Sequence, residues 1–292
     1  MKRLYTFFMA AALCLSSNAA TPINVVNGIS QELAVSRAAI VGNITYDLTF
    51  NIPASKTEAV KGNATITFIY KGGKTDLQLD FQGAPSQFDG LCVVNGKQIA
   101  VAWQDEHILI PRKSLRRGKN IISMSFISGD KSLNRNADYL YTLFVPEHAR
   151  SVFPCFDQPD LKALFRTRLN VPEGWETITS VSTERIPTYL FSFVAGKFSK
   201  QTQERNGRTF TALYRETDAK KVAQLDTVFD IADHSIRWFE DYTGIKYPFS
   251  SYGFLFCLAI SLVVWNIPEQ YSLLIMRYSL ASIPLPRNFR RV

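Results

Sequence analysis

The chain has 292 residues, of which 46% are hydrophobic and 20% charged, and its formal net charge is +8. This composition is typical of a globular protein with one large domain or two ordinary ones. The Lys and Arg residues are spread along the chain, with short dense groups at residues 112–119 and 287–291, and no basic stripe interleaves with aromatics. We therefore expect solvated charged faces and no nucleic-acid partner.

The N-terminus has the pattern of an export signal. Two basic residues precede an apolar run at residues 4–15, and Ser17 and Ala19 are small residues at the positions that a signal peptidase reads. We predict a signal peptide at residues 1–19 and an exported, periplasmic or extracellular protein. Cys14 raises the alternative of a lipoprotein, but the residue before it is not the small one that a lipobox needs.

Cysteine usage excludes a disulfide scaffold. After cleavage of the signal peptide only Cys92, Cys155 and Cys257 remain. At most one disulfide forms, and a mature domain of this size does not need one.

Alternating apolar residues predict an antiparallel sheet over residues 46–128. The pattern occurs in "YDLTFNI", "ATITFIY", "LQLDF" and "ISMSFIS", and a period of two is typical of half-buried strands. Asn95 and Gly96 suit a two-residue hairpin turn, in which both positions need positive φ. Short strands at regular spacing indicate a β-sandwich or a saddle-shaped sheet.

A helical pattern replaces the strand pattern near residue 218. Apolar residues then follow three- and four-residue steps and predict one buried helix face: Val222, Leu225, Phe229, Ala232, Ile236 and Phe239. Thr217 or Asp218 is the expected N-cap and Gly244 the expected C-terminal stop. The change of period indicates a domain boundary between about residues 200 and 217.

Residues 139–175, "YLYTLFVPEHARSVFPCFDQPDLKALFRTRLNVPEGW", resemble the M1 family of zinc aminopeptidases, the aminopeptidase N type. The residues that match the scaffold motif of that family are Arg150, Phe153, Pro154, Cys155, Phe156, Asp157, Pro159 and Lys162. "TYLFSFVAGKF" (188–198) and "WFEDYTGIKYPFSSYGF" (238–254) follow in the order of the family. Taken singly, each segment is also typical of an ordinary turn or core.

The resemblance implies a mainly β fold. We expect an N-terminal antiparallel β-sandwich or saddle domain at residues 20–200, and then a linker and the first helix of a truncated thermolysin-like α-helical catalytic domain at 201–254. Residues 255–292 are interpreted as an aberrant tail. The resemblance further implies zinc as cofactor and peptides as substrates of the full-length enzyme.

Two departures from the family concern the sheet and the substrate. The stretch between "GWETITS" and "TYLFSFVAGKF" is short, so we expect a hairpin to be missing. In many family members a Gln or Glu before the arginine holds the amino terminus of the substrate, but Leu143 and Val145 occupy the matching positions. No substrate-binding residue is carried over, and Glu147 is the neighbouring candidate to replace it.

The chemistry of such an enzyme is missing from the sequence. The family resembles other zincins, in which two His one helical turn apart and a later Glu hold the metal. This chain has three His, at 107, 148 and 234, none with a partner at that spacing, and no G-x-M-E segment. The predicted catalytic residues and metal ligands are therefore none, and we expect each His to be an ordinary core or surface residue.

The apolar run Phe254 to Trp265 breaks the earlier pattern. Its twelve residues are too few to span a membrane, which takes about 20, so we predict no transmembrane segment and a disordered or sticky exposed tail over 254–292. Read one frame away, Trp265 followed by Asn266 must encode Glu, and Leu258 to Ser272 permit the string GYQFGGMEHPGAIQ, which resembles the exopeptidase segment of the family. We therefore favour a frameshift that truncates and inactivates an aminopeptidase. The alternative is a non-catalytic exported β-sandwich binding module with a native tail.

Overall fold

A computed structural model of the chain describes residues 24–256 except 84, 181 and 250, together with the backbone of 274–276. The predicted signal peptide and most of the predicted tail lie outside these residues. The described helices and strands, in chain order, are α1 (Gln31–Ile40), β1 (Val41–Asn51), β2 (Lys61–Tyr70), β3 (Leu77–Asp80), β4 (Leu91–Val94), β5 (Lys97–Ala100), β6 (Ala102–Gln104), β7 (His107–Ile110), β8 (Gly118–Ile127), β9 (Tyr139–Tyr141), β10 (Ala163–Asn170), β11 (Glu176–Ile178), β12 (Val194–Gly196), β13 (Ser199–Arg205), β14 (Arg208–Tyr214), α2 (Ala219–Val222), α3 (Leu225–Thr243), β15 (Ser251–Phe256) and β16 (Leu274–Met276).

The largest sheet has six strands in the order β10-β1-β2-β8-β4-β5. Side chains of β1, β2 and β8 alternate between buried and more exposed positions, as the period of two predicts. The pairs β1–β2 and β2–β8 are antiparallel, which confirms the predicted mainly β sheet. The edge strand β10 differs, because it pairs with β1 in parallel.

A smaller sheet, β3-β7-β6, shares its hydrophobic core with the six-stranded sheet. All four residues of β3 are buried, so neither face of this strand is exposed to solvent. Phenylalanines fill the space between the sheets, and the ring of Phe153 makes edge contacts with Phe50, Phe144 and Phe191. Each such ring, when fully buried, contributes on the order of 2–3 kcal/mol through the hydrophobic effect.

The predicted hairpin between β4 and β5 is present. Asn95 has a φ of 52° and Gly96 a φ of 85°, so both turn residues adopt the left-handed conformation. The Asn95 side chain also accepts a hydrogen bond from the Ile121 N–H at 3.1 Å, which joins the turn to β8. The turn chemistry of the sequence therefore fixes the register of this edge hairpin.

Helix α1 was not predicted from the sequence. Ser30 caps it by accepting a hydrogen bond from the Leu33 N–H at 3.1 Å. Only Leu33 and Arg37 are buried along its ten residues, so its sequence lacks an amphipathic pattern. The helix leads directly into β1 and places Arg37 inside the protein.

The C-terminal part of the described chain is a β-hairpin, a helix and a parallel strand. β13 and β14 form the hairpin, and β15 lies beside β14 in parallel. α3 packs on this sheet through Phe229, which contacts Phe210 of β14 and Phe254 of β15. Leu213 and Leu255 lie on the other face of the sheet and pack with residues of β9, β11 and β12.

The predicted helix begins and ends as its capping residues indicate, but it is divided. Asp218 caps α2 by accepting from the Lys220 N–H at 2.9 Å, and Gly244 ends α3 with a φ of 68°. Ala223 and Gln224 form a turn that separates α2 from α3. The prediction that Phe239 lies on the buried face is wrong, because its side chain is 59% exposed and Glu240 takes the buried position beside β14.

The predicted exposed tail is wrong for its first residues. Phe254, Leu255 and Phe256 are buried in β15, which is paired with β14. A parallel strand covered on both faces reads as a continuous apolar run, so the loss of alternation at Phe254 has a structural cause. Leu274–Met276 pairs with β15 as a further parallel strand, and the rest of the predicted tail is outside the described residues.

Candidate functional site

The motif at residues 150–162 crosses the larger hydrophobic core. After a short turn at Ala149–Ser151, the chain crosses the core and Cys155 forms a bridge with Asp80 at the end of β3. The buried motif residues are Arg150, Phe153, Pro154, Cys155, Phe156 and Asp157, whereas Pro159 and Lys162 are exposed. The structure thus brings Arg150 and Asp157 together and leaves Lys162 outside the cluster.

Arg150 joins three acidic residues at the edge of this core. Its backbone N–H donates to Asp157 Oδ2 at 3.0 Å, its Nη1 donates to Glu147 Oε2 at 3.1 Å, and its Nε lies 3.4 Å from Glu106 Oε2. Burial alone would lower the pKa of the Arg150 guanidinium. The surrounding carboxylates raise it by more than burial lowers it, so the pKa lies above its ordinary value. The guanidinium is therefore a fixed cation.

Asp80 is the centre of the most buried part of the cluster. Its carboxylate accepts hydrogen bonds from Arg37 Nη1 at 2.5 Å and from the Asp157 N–H at 2.8 Å, and His107 Nδ1 lies 3.0 Å from it. Burial raises the pKa of Asp80, and the Arg37 charge with these hydrogen bonds lowers it more. Asp80 is thus held as a carboxylate.

Asp157 has the opposite electrostatic environment. Burial raises the pKa of its carboxyl to about 7, only partly countered by the hydrogen bond from the Arg150 N–H, and the nearby Asp80 charge raises it as well. Asp157 Oδ1 is buried and has no hydrogen-bond partner. The pKa values of the two carboxyl groups shift in opposite directions, because Arg37 Nη1 lies 2.5 Å from Asp80 whereas Arg150 Nη1 lies 3.9 Å from Asp157.

Arg37 ties the first helix to the motif. Its Nε donates to Gln158 Oε1 at 2.7 Å and its Nη1 lies 3.3 Å from the Gln78 carbonyl. Gln158 in turn donates to the Ala34 carbonyl at 3.0 Å, so hydrogen bonds run in both directions between α1 and the residue after Asp157. Sequence reasoning missed Arg37, although an arginine in an otherwise weakly polar helix was a visible signal.

The three histidines occupy separate environments. His107 is fully buried, and its Nε2 lies 3.0 and 2.9 Å from the carbonyl oxygens of Val26 and Gly28. His148 is partly buried, and burial lowers its pKa, as does the charge of Lys131. His234 is exposed on α3.

This arrangement does not fit zinc. Within the described residues, no group of three His, Cys, Asp or Glu side chains is placed to hold a metal ion. Around Asp80 the space that a cation would take is filled by the Arg37 guanidinium. No metal-dependent step is therefore assigned to these residues.

Neither described thiol has the environment of a nucleophile. Cys92 and Cys155 are free and buried. Burial, together with the charge of Asp89, raises the pKa of Cys92 to about 12, and burial raises the pKa of Cys155 well above its ordinary value. The network beneath the motif is therefore suited to holding α1, β3 and the motif in place rather than to covalent chemistry.

Glu147 is the most exposed of the three acidic residues that contact Arg150. Its side chain is 50% exposed while it binds Arg150. Leu143 and Val145, which replace the acidic or amide residues of the family, are partly buried. One side of the Glu147 carboxylate therefore faces solvent.

A different surface is formed by the outer face of α3. Trp238 stacks on Tyr242 with ring centroids 5.1 Å apart, and Phe239 meets Trp238 edge-on at 5.0 Å. These three residues and Ile245 are 56–76% exposed. We refer to the three aromatic residues as the aromatic face of α3; Ile245 lies just after the end of the helix. No helix of the described residues is long and apolar enough to cross a membrane.

Comparison with known proteins gives one consistent result. The profile of the Peptidase M1 N-terminal domain family matches residues 128–190. Aminopeptidase N of Streptomyces lividans is 25% identical over 255 residues, which are 78% of this chain and 29% of that protein. Aminopeptidase N of Lactobacillus helveticus is 27% identical over 235 residues, 70% of this chain and 26% of that protein.

Solved structures agree at the level of the fold. A crystal structure of an M1 zinc metallopeptidase from Deinococcus radiodurans superposes with a TM-score of 0.58 at 18% identity, covering 76% of this chain and 57% of that one. The chain spans less than a third of the length of the two bacterial relatives named above.

Proposed function

Because this chain contains the N-terminal portion of an M1 aminopeptidase of the aminopeptidase N type, we propose that it is a fragment of an exported zinc-dependent metallo-aminopeptidase. The parent enzyme removes N-terminal residues from peptides. The fragment is inactive as it stands, because it lacks the zinc ligands and the exopeptidase segment.

The aromatic face of α3 is the observation that carries this proposal. Soluble proteins rarely leave a contiguous aromatic patch in water without a partner for it. The opposite face of the same helix is fully used, since Phe229 packs in the core and Glu240 binds Arg208. A helix packed on one side and aromatic on the other is what the first helix of a larger catalytic domain requires.

The inactivity follows from the histidine positions in the full sequence. A zincin needs two His on one helix turn, and the three His of this chain, at 107, 148 and 234, do not meet that requirement. We expect purified protein not to hydrolyse an aminoacyl p-nitroanilide with or without added zinc. Zinc-dependent hydrolysis, abolished by a chelator and absent from a mock purification, would refute the proposed inactivity.

Resequencing the gene from codon 240 to well beyond codon 292 tests the frameshift directly. We expect a second frame to encode GGMEH and then an H-E-x-x-H with a later Glu. If no frame encodes these motifs, the truncation hypothesis fails. The residues after Phe256 would then be read in their native frame.

The alternative function is a non-catalytic exported binding module. The specific observation in its favour is β16, because Leu274–Met276 pairs with β15 in the sheet. Limited proteolysis separates the two proposals. A fragment that is trimmed after about residue 256 supports the frameshift, whereas a protease-resistant and monodisperse full-length chain supports the binding module.

Export is proposed from the sequence of residues 1–19. Intact-mass measurement of protein secreted or released from the periplasm should place the mature N-terminus at residue 20. A protein that keeps residues 1–19 and stays in the cytoplasm would contradict this part of the proposal.

A further inference from the structure

A basic groove lies at one end of the six-stranded sheet, away from the motif. The loop that follows β2 and the turn that precedes β8 form its walls, and the pairing of Tyr70 with Gly118 sets them side by side. The groove has a volume of about 980 Å³. Four cationic residues line it: Lys74, Arg112, Lys113 and Arg117.

The segments that form the groove are locally basic. Residues 71–76 and 112–119 together carry seven Lys and Arg against one acid, Asp76, a local excess of six in a chain whose net charge is +8. The four lining cations are exposed, and none forms an ion pair with another described residue. Asp76 also lines the groove, and its Oδ1 accepts a hydrogen bond from the Arg112 N–H at 2.8 Å, so the four lining cations face a single carboxylate.

The walls of the groove are rigid. Asn120 is fully buried, and it accepts from the Arg116 N–H at 3.0 Å and donates to the Gly118 carbonyl at 3.0 Å, which fixes the turn that carries Arg117. On the other wall, the Gly73 N–H donates to the Tyr70 hydroxyl at 2.6 Å. An anion that binds here therefore does not have to order the loop backbones.

Gly72 shows how closely the walls approach. A Cβ at this position would lie 3.2 Å from the Arg117 guanidinium, and the φ of Gly72 is +99°. The guanidinium therefore lies against bare backbone. Its hydrogen-bonding edge has no acidic partner in the described chain.

We propose that this groove binds a soluble anion with several phosphate or sulfate groups. Arginine forks match the oxygen geometry of such groups, and lysines add point charges. Tyr70, the one aromatic residue of the lining, is 3% exposed, so it offers no platform on which nucleic-acid bases stack. None of the exposed large hydrophobic residues lines the groove, so it has no anchor for insertion into a membrane.

The test is calorimetric titration of the full chain with inorganic tripolyphosphate. A groove variant combines Lys74→Gln, Lys113→Gln and Arg117→Gln. The matched control changes three exposed cations elsewhere, Lys61→Gln, Lys97→Gln and Arg168→Gln, and so removes the same charge. All six positions are exposed, and circular dichroism checks that both variants fold as the parent does.

We expect the groove variant to bind tripolyphosphate at least about tenfold more weakly, with the control within about twofold of the parent. Binding should also weaken between about 20 mM and about 200 mM NaCl. Equal losses in the two variants, or no binding by the parent at low salt, would overturn the proposal. A parent that binds phosphatidylglycerol vesicles but not tripolyphosphate would overturn it too, in favour of a lipid surface.

Discussion

Asp157→Asn should change how the stability of the first domain depends on pH. Burial raises the pKa of Asp157 to about 7 from an ordinary value of 3.8. The folded protein therefore holds a proton that the unfolded chain has already released. Between about pH 4 and pH 7 unfolding releases this proton, so the free energy of unfolding falls as the pH rises and levels off once the folded state is also deprotonated.

The size of the effect follows from the shift. At about 1.4 kcal/mol per pKa unit, a shift of this size corresponds to roughly 4 kcal/mol in total, of which on the order of 3 kcal/mol is lost between pH 5 and 8. Asn removes the titration and keeps an oxygen that accepts from the Arg150 N–H. The variant should therefore gain stability relative to the parent as the pH rises, even where its stability at pH 5 is lower.

The assay is urea denaturation followed by tryptophan fluorescence at several pH values from 5 to 8. Two other groups of the region do not mimic the effect. The pKa of Asp80 is lowered, so this group titrates below the window. The pKa of His148 is lowered too, which makes the free energy of unfolding rise with pH; this contribution is opposite in sign to that of Asp157 and is the same in the parent and the variant. Asp241→Asn, an exposed change on α3, is the control and should follow the parent. Parallel pH profiles for the parent and Asp157→Asn would refute the reasoning.

Gly196→Ala should destabilise the chain by about 2 kcal/mol or more, because the new Cβ would lie 2.3 Å from Tyr139 Cβ in the neighbouring strand. Gly42→Ala, with nothing within 4 Å of its Cβ, should stay within about 0.5 kcal/mol of the parent by thermal unfolding. Cys92 and Cys155 should resist Ellman's reagent at pH 8 until denaturant is added, as both are buried with raised pKa values. Peptide mapping that finds either cysteine labelled in the native protein would contradict this prediction.

The antiparallel part of the fold was predictable because it depends on local rules. Alternation in β1, β2 and β8 and the Asn95–Gly96 turn each act within a few residues. The parallel pairs β1–β10 and β14–β15 were not predictable in the same way, because they join residues that are distant in the sequence. The buried run at Phe254 was assigned to an exposed tail for this reason.

The candidate site was only half predictable. The motif placed Arg150 and Asp157 together, but their partners come from elements far away in the chain, such as Arg37 on α1 and Asp80 on β3. A pattern-based method assigns charged residues to the surface, since a buried charge is stable only beside a partner that the sequence does not reveal. Phe239 shows the converse error, an apolar residue assigned to the core that lies in water.

The pairing of β1 with β10 determines when the six-stranded sheet can be completed during synthesis. Asn51 and Asn170 meet across this pair although 119 positions separate them. At typical rates of translation that interval lasts on the order of 10 s, during which the outer edge of β1 has no partner. Ribosome-bound chains that stop before Ala163 should therefore expose an open strand edge to chaperones or to other nascent chains.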